Sequence, residues 1–349
     1  MIFFSYSRIA CPFLPTSKTI FSYRKPAFWK IGTLGLDVHI ILKGARAGGV
    51  ATHHIISIGD FDRSAIDHLL DHAQQIEKKK YNKNALDGKI LAVLFFEPST
   101  RTRMSFEAAM ARLGGTSLSV SSVEACSMSK GETLADTIRV VSGYADAIVI
   151  RHPKEGAARL AAEFAKVPVI NAGDGAGQHP SQTLLDLYTI RQSMPIDGID
   201  VALVGDLRYG RTAHSLASAL SLYGVRLHTI SPPGLELPPS LAASLAEKGM
   251  EIVRHTNIEE VINDIDVLYV TRIQRERFPD SASYFNVASS YRITPELLAG
   301  AKKHLIVLHP LPRVDEIDPR LDASPHARYF EQSKNGVPVR MAMLLDVMG

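Results

Sequence analysis

The sequence predicts an α/β protein: two doubly wound domains with parallel sheets, joined by long helices. Three observations predict it. From about residue 53 onward, short β-rich apolar runs alternate with helical patterns, and such alternation implies parallel sheets covered on both faces. A chain of 349 residues suits two domains at roughly 100–200 residues each. The polar motifs fall just past the apolar runs, at the strand carboxyl ends where doubly wound sheets gather their ligands.

The elements follow in order. Residues 60–80 read as a helix, with Ser57 or Asp60 as the cap and Ile66, Leu69, Leu70, Ala73 and Ile76 at helical spacing. Residues 89–96 (KILAVLFF) form an apolar run of strand length, followed by a polar turn at 97–100 and a helix through 104–113. Further strand-like runs lie at 147–150, 167–171, 201–205, 226–231, 267–271 and 305–309. Helical patterns lie at 133–144, 180–193, 212–223 and 241–248. The division between domains is expected near 192–197, giving a first domain at 51–192 and a second at 193–335. A last helix at 338–347, within 336–349, is expected to pack back on the first domain.

Composition excludes several classes. With 46% hydrophobic and 21% charged residues, the chain can build a core and is not disordered. Gly 24, Pro 19 and Cys 2 exclude collagen-like and disulfide-dense chains, and two cysteines suit a reducing compartment. No uninterrupted apolar run approaches the ~18–20 residues that cross a bilayer. The net charge of +3 is unevenly placed. Residues 1–50 hold seven basic residues and one acid, leaving 32 basic and 35 acidic residues beyond them. The body is therefore slightly acidic, and the charge gives no argument for nucleic-acid binding. Residues 1–50 read as an extension: disordered, an organelle transit peptide, or the product of a mis-assigned start with the natural N-terminus near Val50.

Six motifs carry chemistry. Ser99-Thr100-Arg101-Thr102-Arg103 follows the first apolar run and opens a helix. Unsatisfied N–H groups there, with hydroxyls and a guanidinium beside them, suit a phosphate; a plain Ser/Thr cap with solvated arginines is the competing reading. Arg151-His152-Pro153 ends a second run, and Arg151 is either an oxyanion ligand or a surface cation. In Gln178-His179-Pro180-Ser181-Gln182, Pro180 suits a first helical turn, and His179 and Gln182 share a face. Such a pair can polarise a carbonyl and read an amide, or His179 can simply sit at a cap. Gly205-Asp206 ends a buried run without a GxGxxG fingerprint, so no nicotinamide cofactor is expected; Arg208 and Arg211 follow it. Arg272 and Gln274 suit a carboxylate. In His309-Pro310-Leu311-Pro312-Arg313, two prolines stiffen a loop and leave carbonyls free to accept. No cofactor is expected, and no metal, since no His or Cys cluster has ligand spacing. The strand ends thus supply cations for a small polyanion holding phosphate and carboxylates, with catalysis by positioning and charge stabilisation.

These residues resemble the aspartate carbamoyltransferases, catalytic-chain type. Phe96-Glu97-Pro98 with STRTR, KGETLADT (130–137), RHP (151–153), GDGAGQHPSQTLLDLYT (173–189), GDLRYGRT (205–212), TRIQRER (271–277) and HPLPRVDEI (309–317) carry the resemblance in order over about 53–349. It implies a carbamoyl-phosphate domain, an aspartate domain, a homotrimer with shared active sites, and a cytoplasmic enzyme of pyrimidine (UMP) biosynthesis. It implies that Ser99, Thr100, Arg101 and Thr102 hold phosphate, and that Thr102, Arg151 and His179 meet the carbamoyl oxygen. It implies that Gln182 and the carbonyls of Leu311 and Pro312 take the carbamoyl amino group. Arg211, Arg272 and Gln274 would hold the carboxylates of aspartate, with Lys130 donated by a neighbouring subunit. A separate zinc-containing regulatory chain is a further implied partner. Cys126 stands where the family commonly has Ser, and a thiol is the weaker hydrogen-bond partner. The rival readings are an ornithine carbamoyltransferase, which typically carries HCLP where this chain has HPLP, and a catalytically silent scaffold chain.

Overall fold

The computed structural model describes residues 53–122, 127–273 and 291–349. The extension, Cys126 and Gln274 lie outside the described residues.

The first half is a four-stranded parallel sheet of β1 (Ile90–Phe95), β2 (Thr116–Val120), β3 (Ala147–His152) and β4 (Val169–Asp174), ordered β2-β1-β3-β4. Its helices are α1 (Arg63–Glu77), α2 (Thr100–Arg112), α3 (Leu134–Val141) and α4 (Ala157–Phe164). The second half is a five-stranded parallel sheet of β5 (Asp200–Val204), β6 (Arg226–Ile230), β7 (Ile252–His255), β8 (Val267–Val270) and β9 (Ile306–Leu308), ordered β7-β6-β5-β8-β9. It carries α6 (Arg211–Leu220) and α7 (Pro239–Glu247). Two long helices, α5 (Pro180–Ser193) and α8 (Tyr329–Met348), join the halves. The two parallel-sheet α/β halves are those expected.

The element details differ from the expectation in instructive places. Asp62, rather than Ser57 or Asp60, caps α1 by accepting from the Ala65 N–H at 2.8 Å; Ser57 instead caps a separate 3-10 turn, Ile58–Asp60. Strands β2 and β7 and helix α4 have no counterpart among the expected elements. β2 (TSLSV) lies at the sheet edge with mostly exposed side chains, so it has no apolar run to betray it. The last helix begins at Tyr329, not near residue 338. Pro338 sits inside it, which forfeits a backbone bond and ordinarily kinks a helix. Packing of α8 against α1, α2 and α5 holds the helix on both sides of the proline. Val339, Met341, Ala342, Met343 and Leu344 are all buried there, and each large side chain contributes about 1.5–3 kcal/mol.

One apolar cluster runs through both halves, from Val93 and Phe95 of β1 through Leu184 and Leu187 of α5 to Val201 and Leu203 of β5. α5 is buried on nearly all sides, as expected for a helix between two packed layers. Strand order reverses between β1 and β3 in one sheet and between β5 and β8 in the other. These switch points are where open parallel sheets leave a crevice.

Candidate functional site

The polar motifs fall on these two switch points. The 99–103 motif follows β1 and Arg151 ends β3, at the first; the Arg211 turn follows β5 and Arg272 follows β8, at the second. The ends approach closely. Gly205 has φ +117°, and a Cβ there would lie 2.2 Å from the Thr271 carbonyl oxygen. Only glycine combines that dihedral with that contact.

The crevice contains a cavity of about 390 Å³. Ser99, Thr100, Arg101, Thr102, Arg151, His179, Gln182, Arg211, Leu311 and Pro312 all line it. An adjoining lobe of about 620 Å³ shares Arg151, Arg211 and the 309–312 loop and adds Glu97 and Arg272. Lys130 lines neither lobe; it is exposed in the 3-10 turn Ser127–Lys130. Arg208 turns away, donating to the Gly234 carbonyl at 3.2 Å.

Local structure aims each group. Ser99 is the N-cap of α2, yet its hydroxyl makes no capping bond, and the first-turn N–H groups of α2 have no intrahelical acceptor. Burial lowers the pKa of Arg101 from its ordinary value. Arg151 is 8% exposed; its Nη2 donates to Glu97 Oε1 at 2.7 Å and its Nη1 to the Ala172 carbonyl at 3.2 Å. Arg211 donates to the Gly175 carbonyl at 2.5 Å and to Glu97 Oε1 at 3.2 Å. Glu97 therefore holds two guanidiniums side by side. Gly173 (φ +112°) clears the space, since a Cβ there would lie 3.2 Å from both Arg151 Nη1 and Arg211 Cζ. Burial, then repulsion by Arg211, weakens the hold of Arg151 on its proton, and Glu97 opposes this.

His179 caps α5 ahead of Pro180 at its first turn and is 4% exposed. Burial, followed by repulsion from Arg151, Arg211 and Arg340, drives its pKa well below the usual imidazole value. The ring is neutral, so it donates one hydrogen bond without carrying charge. Gln182 lies one turn on and donates from Nε2 to Asp186 at 2.8 Å. In the 309–312 loop, His309 Nδ1 accepts from the Leu311 N–H at 2.8 Å, so its Nε2–H donates to Glu316 at 2.8 Å.

Sequence reasoning assigned no role to Glu97, Asp186, Gln332 or Arg340. Arg340 is 3% exposed, lines the cavity, and stacks over Phe106 at 5.0 Å; burial pulls its pKa down to about 9, against Asp186. Glu97 stood inside a quoted motif, but its partners lie 54 and 114 residues away.

A cationic cavity between two parallel-sheet halves, with a neutral imidazole and, among the described residues, no thiol or paired acid lining it, fits a group-transfer enzyme acting on a small polyanion. Known proteins make the class specific. The profile for the aspartate/ornithine carbamoyltransferase, carbamoyl-P binding domain, matches residues 53–192, and that for the Asp/Orn binding domain matches 197–347. The chain is 74% identical over 296 residues to the aspartate carbamoyltransferase catalytic subunit of Methanoculleus marisnigri, covering 85% of this chain and 99% of that one. The solved catalytic subunit of M. jannaschii aspartate transcarbamoylase superposes with TM-score 0.80 at 53% identity, over 84% of this chain and 97% of that one. Trypanosoma cruzi aspartate transcarbamoylase, solved with carbamoyl phosphate and aspartate, superposes with TM-score 0.79 at 40% identity, over 85% and 95% of the two chains. The chain belongs to the aspartate/ornithine carbamoyltransferase family, on its aspartate carbamoyltransferase catalytic-subunit branch. Its reaction is transfer of a carbamoyl group from carbamoyl phosphate to the amine of L-aspartate. The ornithine and scaffold alternatives are not favoured.

Proposed function

We propose that the reaction runs in the described cavity with donor and acceptor held by different switch points. The carrying observation is that Arg101, Arg151, His179 and Gln182, from three separate segments, line one cavity. Ser99, Thr100, Arg101 and Thr102 hold phosphate at the α2 N-terminus. Thr102, Arg151 and neutral His179 surround the carbamoyl oxygen. Gln182 and the carbonyls of Leu311 and Pro312 take the amino group. Arg211, Arg272 and Gln274 hold the carboxylates of aspartate.

The neutral amine of aspartate attacks the carbamoyl carbon. A C–N bond forms, and charge gathers on the carbonyl oxygen among donors already in place. The C–O bond to phosphate then breaks, phosphate leaves with the electron pair, and it can take the amine proton. No protein base is required. We divide the chain into a carbamoyl-phosphate domain at 51–192, an aspartate domain at 193–335 and a C-terminal helix returning to the former, a reading supported by the packing of α8 on α1 and α2.

The working unit is a homotrimer with shared sites. Lys130 is exposed and away from its own cleft, consistent with reaching a neighbour's. Met104 (56% exposed) and Leu118 (47%) leave apolar surface beside α2 and edge strand β2 for such a neighbour. Among the described residues no helix is long and apolar enough to cross a membrane; the enzyme is proposed to act in the cytoplasm, and a regulatory chain is a further candidate partner.

The test supplies carbamoyl phosphate with either aspartate or ornithine. N-carbamoyl-L-aspartate should form; citrulline formation instead would contradict the reading.

A further inference from the structure

Beneath the cavity Gln182 joins a buried network whose other members, Asp186, Gln332 and Tyr269, have no part in the mechanism above. Asp186, fully buried on α5, accepts three hydrogen bonds. Its Oδ1 accepts from Gln182 Nε2 at 2.8 Å and from Gln332 Nε2 at 2.6 Å, and its Oδ2 accepts from the Tyr269 hydroxyl at 2.9 Å. Burial raises its pKa to about 7, and these three donors oppose the rise.

The orientation of each amide follows from chemistry. The His309 backbone N–H can only donate, and it meets Gln332 Oε1 at 2.8 Å. The NH₂ end of Gln332 must therefore face Asp186. With Oδ1 accepting that bond and Oδ2 accepting from Tyr269, Asp186 offers Gln182 an acceptor. Gln182 must present its NH₂ downward, so its Oε1 is the end left toward the cavity that Gln182 lines. Among the described residues that oxygen makes no hydrogen bond.

We propose that Asp186 is a positioning residue: it fixes the Gln182 amide with its oxygen toward the substrate and so makes the site select a carbamoyl donor over an acetyl donor. This rests on the reading that Gln182 meets the carbamoyl amino group. An outward oxygen accepts from an N–H of that group. An outward NH₂ would face it donor to donor. Acetyl phosphate has a methyl group at the same place and gains nothing from the acceptor.

Asp186→Asn offers Gln182 a donor as readily as an acceptor and releases the constraint at nearly constant volume. In the full-length enzyme, KM for carbamoyl phosphate should rise at least ~10-fold, while Ki for acetyl phosphate as competitor stays within about 2-fold. Parallel weakening of both ligands, or no change in either, overturns the proposal. Gln182→Ala separates the two levels. If it leaves the carbamoyl-to-acetyl ratio intact, the reading of Gln182 itself fails; if it abolishes the ratio and Asp186→Asn does not, only the role of Asp186 fails. Should Asp186→Asn not fold, Tyr269→Phe removes one donor from the carboxylate and must lower the same ratio at least ~3-fold; an unchanged ratio overturns the proposal.

Discussion

The donor side of the cleft and the acceptor side are built differently. On the donor side, Arg151, His179 and Gln182 are each no more than 8% exposed, and Arg151 and Gln182 are wired to buried carboxyl or carbonyl groups. On the acceptor side, Arg272 is exposed, and Lys130 stands outside the cleft altogether. The three groups proposed for the donor are held in place by this fold, whereas Lys130, proposed for the acceptor, would act in the site of a second chain. For charge stabilisation, preorganised donors act without reorganising at the moment of reaction. The difference therefore predicts distinct failures on the two sides.

The largest effect should come from the donor side. Arg101→Ala removes the guanidinium proposed to face the leaving phosphate and should lower kcat by more than ~10²-fold; steady-state turnover at saturating aspartate checks this, and unchanged kinetics would refute the role. On the acceptor side the backbone seam is the weak point. Gly205→Ala places a methyl 2.2 Å from the Thr271 carbonyl at a positive φ and should reduce stability by about 2–4 kcal/mol, read by chemical unfolding. Lys130→Ala should raise KM for aspartate by ~10-fold or more, about 1.4 kcal/mol per tenfold. It should leave the affinity for phosphate near its original value. Equal loss of both would erase the distinction between the two sides.

The smallest effect is a pH slope. The unfolded chain protonates His179 near ~6.5, whereas the buried folded ring resists the proton. Its contribution is therefore fully present above the unfolded value and is lost as pH falls below it. His179→Gln should flatten the decline of Tm on going from neutral to mildly acidic pH. An identical slope in both proteins would show that the ring is not held neutral.

The same contrast explains what could be read from the amino-acid sequence. Groups in loops at strand ends were legible because an Arg, Ser or His just past a buried strand has few structural reasons to be there. Ser99 to Thr102, Arg151, His179 and Gln182 could be noticed without any long-range packing; their convergence on one cavity could not. Arg340, Asp186 and Gln332 were not legible. Each sits on a helix where a charge or amide normally marks the solvated face, and burial of that face depends on contacts 146 residues apart, as between Gln332 and Asp186. β7 (IVRH) and the eight-residue α4 were missed because segments this short repeat their period too few times to stand out. Extending the last helix through Pro338 likewise reflects tertiary packing overriding a local breaker.

The central claim is that each active site takes its donor groups from one chain and Lys130 from the next. Arg101→Ala and Lys130→Ala chains, each nearly inactive when aspartate is far below KM, are unfolded together in equal amounts, refolded and assayed at such aspartate to test it. In a closed ring with random mixing, each intact site needs a Lys130→Ala chain followed by an Arg101→Ala chain, so about a quarter of wild-type activity should return. Recovery to about that level is the predicted result; a mixture as inactive as its parents would contradict the account.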